Sequence, residues 1–170
     1  YAPKAVFINI DFLRTLPAAE RRAGLAEAVK HGALADLELL DYMDANSSAL
    51  IRGDVDHLLE VIARAVKVKV QVVTADYCEN GPRAVLNFGH TLGHALEAQS
   101  GFDGLRHGEA VALGMGFATR LSEEKVGLPA GSAHRLIRTL NSLELPTDWA
   151  PRVNRDVLDH MGQDKKMHGS

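Results

Sequence analysis

The segment Val66–Val73, VKVKVQVV, decides the fold class, and it can be read two ways. Its valines alternate with polar residues, and a period of two places every valine on one face of a strand. The same segment continues, without a break, a run that begins at Gly53-Asp54 and repeats Leu58, Ile62, Ala65 and Val66 at helical spacing. Periodicity within the segment favours a strand; the uninterrupted run before it favours the end of a long helix.

The rest of the chain reads mostly as helix. Leu25, Val29 and Ala33 recur at helical spacing in the stretch that follows Pro17, and a further helix is expected from Asp36 to Met43. Asn80-Gly81-Pro82 marks a loop. Beyond it, helices are expected from Asn87 to Ser100, from Gly108 to Val126, over 130–144 and over 154–162. One segment differs: KAVFINI, residues 4–10, is an isolated apolar run rich in β-branched residues and reads as a buried strand. A lone strand cannot make a sheet, so it is expected to complete the sheet of a preceding domain. The start at Tyr1-Ala-Pro and the ending DKKMHGS fit a sequence cut at both ends.

Composition narrows the function classes. The 170 residues are 46% hydrophobic, enough for one domain with a sizeable core. Nineteen basic and 22 acidic side chains are interspersed for a net charge of −3, so no field favours nucleic acid or an anionic membrane, and a small-molecule partner is expected. No apolar run approaches the roughly 18–20 residues of a membrane span. Cys78 is the single cysteine, which fits a reducing compartment and sets cytoplasm as the default location.

The chemistry-bearing residues concentrate in NFGHTLGHALEAQSGFDGLRHGEAV, residues 87–111. On a helix, His90 and His94 project from one face and both imidazoles can enter one cavity. Zinc peptidases use this spacing, but Thr91 stands where their general-base glutamate would follow the first histidine. His107 follows a glycine-bounded loop at the start of the next helix, where a returning chain can meet the first; alone it would read as an exposed helix-terminal residue. Gly89 and Gly93 allow close backbone approach at a helix-propensity cost of about 1 kcal/mol each. A catalytic zinc commonly takes three protein ligands, often two histidines and a carboxylate. Glu27 in the apolar LAEAV is the candidate carboxylate, set against an ordinary exposed pair with Lys30. Lys67, Lys69, Arg83 and Lys165-Lys166 are candidate anion holders, set against solvated surface charges. Gly114-Met115-Gly116 lacks the third glycine and the preceding strand of a dinucleotide fingerprint.

LNFGHTLGHALEA followed by HGEAVALGM, and preceded by GLAEAVKHG and DYCENGPR, resembles the C-terminal domain of 3-dehydroquinate synthase over nearly the whole chain. The resemblance implies a mainly α, helical metal- and substrate-binding domain over 17–170. Residues 1–16 become the strand and linker from a missing α/β NAD-binding domain, and VKVKVQVV becomes the continuation of a helix. Carried over residue by residue, it implies zinc (or cobalt) ligands Glu27, His90 and His107, with His94 as catalytic base and Glu79 as a second acid/base. Lys30, Lys69, Arg83, Asn87 and Lys165 or Lys166 would bind substrate, and Phe12, Leu13, Arg14 and Thr15 would touch NAD. Tyr77, Cys78 and Arg106 depart from the family pattern. The implied activity is a carbon–oxygen lyase of the shikimate pathway, serving chorismate and aromatic amino-acid biosynthesis, that acts on a sugar phosphate and works as a cytoplasmic homodimer. Related sugar phosphate cyclases, metal-dependent polyol dehydrogenases and a non-catalytic helical interaction domain are the alternatives. The 170-residue chain by itself is expected to be inactive.

Overall fold

The computed structural model describes residues 4–78, 81–101 and 104–167, with side chains through residue 162. Among them the regular elements are helical: α1 (Ala18–Ala35), α2 (Leu37–Ala45), α3 (Ser47–Arg52), α4 (Val55–Ala75), α5 (His90–Gln99), α6 (His107–Lys125), α7 (Ser132–Ser142) and α8 (Arg155–Met167). Short 3-10 turns at Ile10–Arg14, Pro82–Asn87 and Ala150–Arg152 join them.

The ambiguous valine segment lies inside α4. Asp54 starts that helix by accepting the His57 backbone N–H at 3.2 Å, and it closes with the Asp76 N–H on the Val72 carbonyl. Its buried stripe is Leu58, Val61, Ala65 and Val68, spaced three and four apart; Val70 stays 56% exposed. In a helix every interior N–H finds a carbonyl four residues back, whereas an unpartnered strand leaves its whole ladder unmade. That difference settles the reading.

The strand expected over residues 4–10 is not found. Residues 4–9 carry no ladder, and Ile10 opens a 3-10 turn whose first amide, on Asp11, donates to the Asn9 side chain at 2.9 Å. Val6 and Phe7 are 75% and 94% exposed. An apolar β-branched run becomes a strand only beside another strand, and among the described residues none is present.

The core is organised around α6, which is buried continuously from Ala110 to Gly116. Against it lie α1 through Leu25, Ala26 and Val29, and α7 through Leu136 and Leu140; α2 and α4 complete this cluster with Leu39, Met43, Leu58 and Val61. A second cluster joins α5, α6 and α8 through Leu92, Leu96, Leu113 and Val157, with Trp149 packed on its edge. A helix buried nearly all round must offer small residues to its neighbours, and α6 does. A Cβ on Gly108 would lie 1.9 Å from the Ala23 carbonyl oxygen of α1, and one on Gly114 would lie 1.9 Å from the Gly89 carbonyl oxygen at the start of α5.

Candidate metal centre

The two glycine-lubricated crossings carry three side chains to one point. Glu27 stands one turn after Ala23 on α1, His107 immediately precedes Gly108 on α6, and His90 follows Gly89 on α5. Gly89 turns the chain into α5 at φ +81°, a conformation that L side chains avoid, with Met115 of α6 against it. The start of α6 is tied down separately: the Arg106 N–H donates to Glu109 at 2.9 Å, and the Arg106 guanidinium donates to Glu20 of α1 at 2.8 Å. Arg106 thus holds the N-terminus of α6 to α1.

Glu27 Oε1 lies 3.7 Å from His90 Nε2 and 3.8 Å from His107 Nε2. Ligands in a tetrahedral zinc shell, with bonds of 2.0–2.2 Å, are separated by about 3.3–3.6 Å. Glu27 Oε2 is paired with the Lys30 ammonium at 2.7 Å, while Oε1 is buried without any hydrogen-bond partner. The other side of His90 is fixed, with Nδ1 3.2 Å from the Phe88 carbonyl oxygen. A carbonyl only accepts, so Nδ1 carries the proton and Nε2 turns its lone pair toward Glu27. A lone pair and an orphaned carboxylate oxygen facing each other repel unless a cation lies between them, and an unsatisfied buried acceptor costs about 1–3 kcal/mol. The donor set therefore fits a divalent metal of zinc type.

The electrostatics agree. Burial raises the Glu27 pKa, but the Lys30 hydrogen bond and charge, with His90 and His31 adding, outweigh it and hold the carboxyl below its ordinary value. Burial, and then the Lys30 charge, hold His90 below its ordinary value, which favours the neutral ligand form.

The other expected residues fall at different distances from this point. His94, exposed, stands beside the set with its ring centroid 5.3 Å from that of His90. Lys30 is buried, its side chain 4% exposed, and its ammonium sits on Glu27 Oε2. Lys69 on α4 is exposed and close enough to His31 to depress that histidine, after burial and Lys30. Asn87 is exposed, and Arg83 is half-buried with its guanidinium donating to the Tyr77 carbonyl at 3.0 Å. Phe12, Leu13, Arg14 and Thr15 lie on the first 3-10 turn and its cap, Phe12 exposed at 75% and Leu13 packed on the core. Glu79 lies outside the described residues. Lys165 and Lys166 fall on α8, beyond the described side chains.

Sequence reasoning missed Glu97. Both of its carboxylate oxygens lie 3.2 Å from His107 Nδ1, and with His94 and His107 it forms a second group of donors within 4.8 Å of one another. A helical signal was available, because Glu97 is three residues after His94 and seven after His90 and so shares their face of α5.

Residues 24–167 match the family model described as 3-dehydroquinate synthase C-terminal. A 3-dehydroquinate synthase from Pseudoalteromonas atlantica is 41% identical over 98% of the chain. The chain belongs to the 3-dehydroquinate synthase family. Other 3-dehydroquinate synthases, from Xanthomonas oryzae and Caulobacter vibrioides, are 43% and 39% identical over 98% and 99% of the chain. The chain spans about half the length of these relatives, 46–47%. Among solved structures, 2-epi-5-epi-valiolone synthase from Streptomyces hygroscopicus, with NAD+ and Zn2+ bound, superposes with a TM-score of 0.83 at 28% identity; the match covers 95% of this chain and 45% of that one. The helical architecture is thus that of the C-terminal part of a sugar phosphate cyclase, and no described helix is long and apolar enough to cross a membrane.

Proposed function

We propose that this chain is the metal- and substrate-binding part of a 3-dehydroquinate synthase, which converts 3-deoxy-arabino-heptulosonate 7-phosphate to 3-dehydroquinate and phosphate in the shikimate pathway. Glu27, His90 and His107 hold the zinc, and NAD is shared with an α/β domain preceding residue 17. The observation that carries this reading is the unpaired Glu27 Oε1, buried between two histidine nitrogens. The curated relatives, at 39–43% identity against 28% for the valiolone synthase, favour this substrate over other cyclase substrates.

When bound, zinc supplies a Lewis acid that polarises adjacent substrate hydroxyls and lowers the pKa of the one to be oxidised. The protein's own groups prepare that event. Lys30 holds Glu27 Oε2, so that Oε1 alone faces the site. The Phe88 carbonyl holds the His90 ring in the tautomer whose lone pair points inward. His94, exposed beside the ligands, accepts the substrate hydroxyl proton on a ring nitrogen, and Glu79 serves as a second acid/base. Lys69, Arg83, Asn87 and the Lys165-Lys166 pair gather the phosphate and carboxylate, which orients the phosphate for departure. Phe12–Thr15 present the edge that meets the nicotinamide nucleotide. The assembly works in the cytoplasm as a homodimer.

Metal analysis tests the reading. Purified protein supplemented with zinc and dialysed should retain about one zinc per chain, and Glu27→Gln should retain none, because the amide cannot supply the anionic donor. Absence of bound zinc in the unaltered chain would sink it.

A further inference from the structure

We propose that Glu97 is the positioning residue that presents His107 to the metal, an inference that rests on the ligand set above. A histidine ligates through one nitrogen only if the proton sits on the other, and His107 begins α6 with a half-exposed side chain, so packing alone does not hold its ring. Glu97 does. Its side chain is 14% exposed, and both carboxylate oxygens reach His107 Nδ1 at 3.2 Å. A carboxylate accepts and does not donate, so it fixes the proton on Nδ1 and leaves the Nε2 lone pair directed at Glu27 Oε1, 3.8 Å away.

The arrangement makes the two histidine ligands a matched pair held by different means. His90 is oriented by a neutral backbone carbonyl, His107 by a charged side chain from the neighbouring helix. Held in this tautomer and orientation, the ring loses nothing to reorientation when it takes the metal, which strengthens the bond. Glu97 therefore sets how tightly the metal is held without touching it. It also lies at the point where the alternative donor group, His94, Glu97 and His107, would compete for the ion. With its oxygens engaged by His107 Nδ1, Glu97 acts for the Glu27 site rather than against it.

The experiment uses the complete chain with zinc alone as the probe. Zinc affinity is measured by competition with a chromogenic chelator for Glu97→Ala, Glu97→Gln, Glu27→Gln and His94→Ala, beside nitrogen-15 NMR of the histidine rings in metal-free protein. Glu97→Ala should weaken zinc about 10- to 100-fold while keeping one site per chain, and the His107 Nδ1-protonated signature should be lost. Glu97→Gln, which keeps an accepting oxygen without the charge, should keep the tautomer and lose less affinity. A merely structural Glu97 would shift the urea midpoint and leave tautomer and affinity unmoved, and that result overturns the proposal. If Glu27→Gln abolishes zinc binding while Glu97→Ala leaves it intact, the ligand set stands and only this inference fails. If Glu27→Gln keeps zinc while His94→Ala and Glu97→Ala both lose it, Glu97 is itself a ligand and both readings fall.

Discussion

Gly108→Ala should loosen the metal centre through the backbone rather than through any ligand. The added Cβ would stand 1.9 Å from the Ala23 carbonyl oxygen, where real Cβ contacts stay beyond 3.0 Å, so α1 and α6 must part by roughly 3.0 − 1.9 = 1.1 Å. Neither partner is a side chain that can rotate away. The displacement falls between Glu27 and His107, and adding it to their 3.8 Å separation gives up to about 4.9 Å, well beyond the ~3.3–3.6 Å edge of a tetrahedral zinc shell. Overpacking of this kind costs about 1–3 kcal/mol, against at most about 1 kcal/mol of helix propensity gained from alanine. The expected net is a loss of about 1–2 kcal/mol in urea denaturation with chelator present, together with weakened zinc binding. Gly24→Ala is the control: it lies on the solvent side of the same α1, with nothing within 4 Å of the new Cβ, and should be neutral or stabilising by up to about 1 kcal/mol with zinc binding intact. An unchanged urea midpoint and unchanged zinc affinity in Gly108→Ala would refute the claim that this crossing sets the ligand spacing.

Three further outcomes are expected. In the complete enzyme, His94→Ala should keep zinc and lose about 10²- to 10⁴-fold in turnover, whereas His90→Ala should lose both, as read by metal content and steady-state rate. Arg64 holds Asp36, at the start of α2, below the ordinary aspartate value of 3.8. The stabilisation is therefore complete above 3.8 and is lost as pH falls through the lower folded value; Arg64→Leu should flatten this acid limb, by about 0.5–1 kcal/mol, in urea titrations at successive pH values. The 170-residue chain by itself, given zinc and NAD, should release no phosphate from the heptulosonate substrate in a continuous phosphate assay; turnover would refute the proposal that a preceding domain holds the nucleotide.

The sequence carried the helical architecture and a set of candidate ligands, each to a different depth. Glu27, His90 and His107 were nameable as a ligand set through the family resemblance; the residues alone offered two histidines at helical spacing, a third beyond a loop, a carboxylate that also read as an ordinary pair with Lys30, and glycines at 89 and 93 that announced a close approach. Glu97 shared the histidine face of α5, but a lone acid near a helix end normally faces water, and only the position of α6 gives it a partner. Lys30 misleads in the same way: three residues after Glu27 it reads as half of an ordinary surface pair, yet it is buried against Glu27 because α1 is covered on most sides. The valines of α4 satisfy both periods at once, and KAVFINI has the composition of a strand without a partner to pair with. Such properties belong to neighbours, and no local pattern encodes them.

The three proposed ligands come from three helices, with Glu27 far upstream of the histidines, and they meet only where α1 and α5 have both docked on α6. An unfolded chain offers the ion only weak local donors such as the pair of His90 and His94. Tight zinc capture consequently cannot precede the last of these dockings during refolding, and a zinc-sensitive dye added to a refolding mixture becomes a clock for the slowest long-range closure in the molecule. Helix signals that reach their final value before the dye loses its zinc would mark a collapsed state in which α1 has formed but has not yet slid its alanine carbonyl over Gly108.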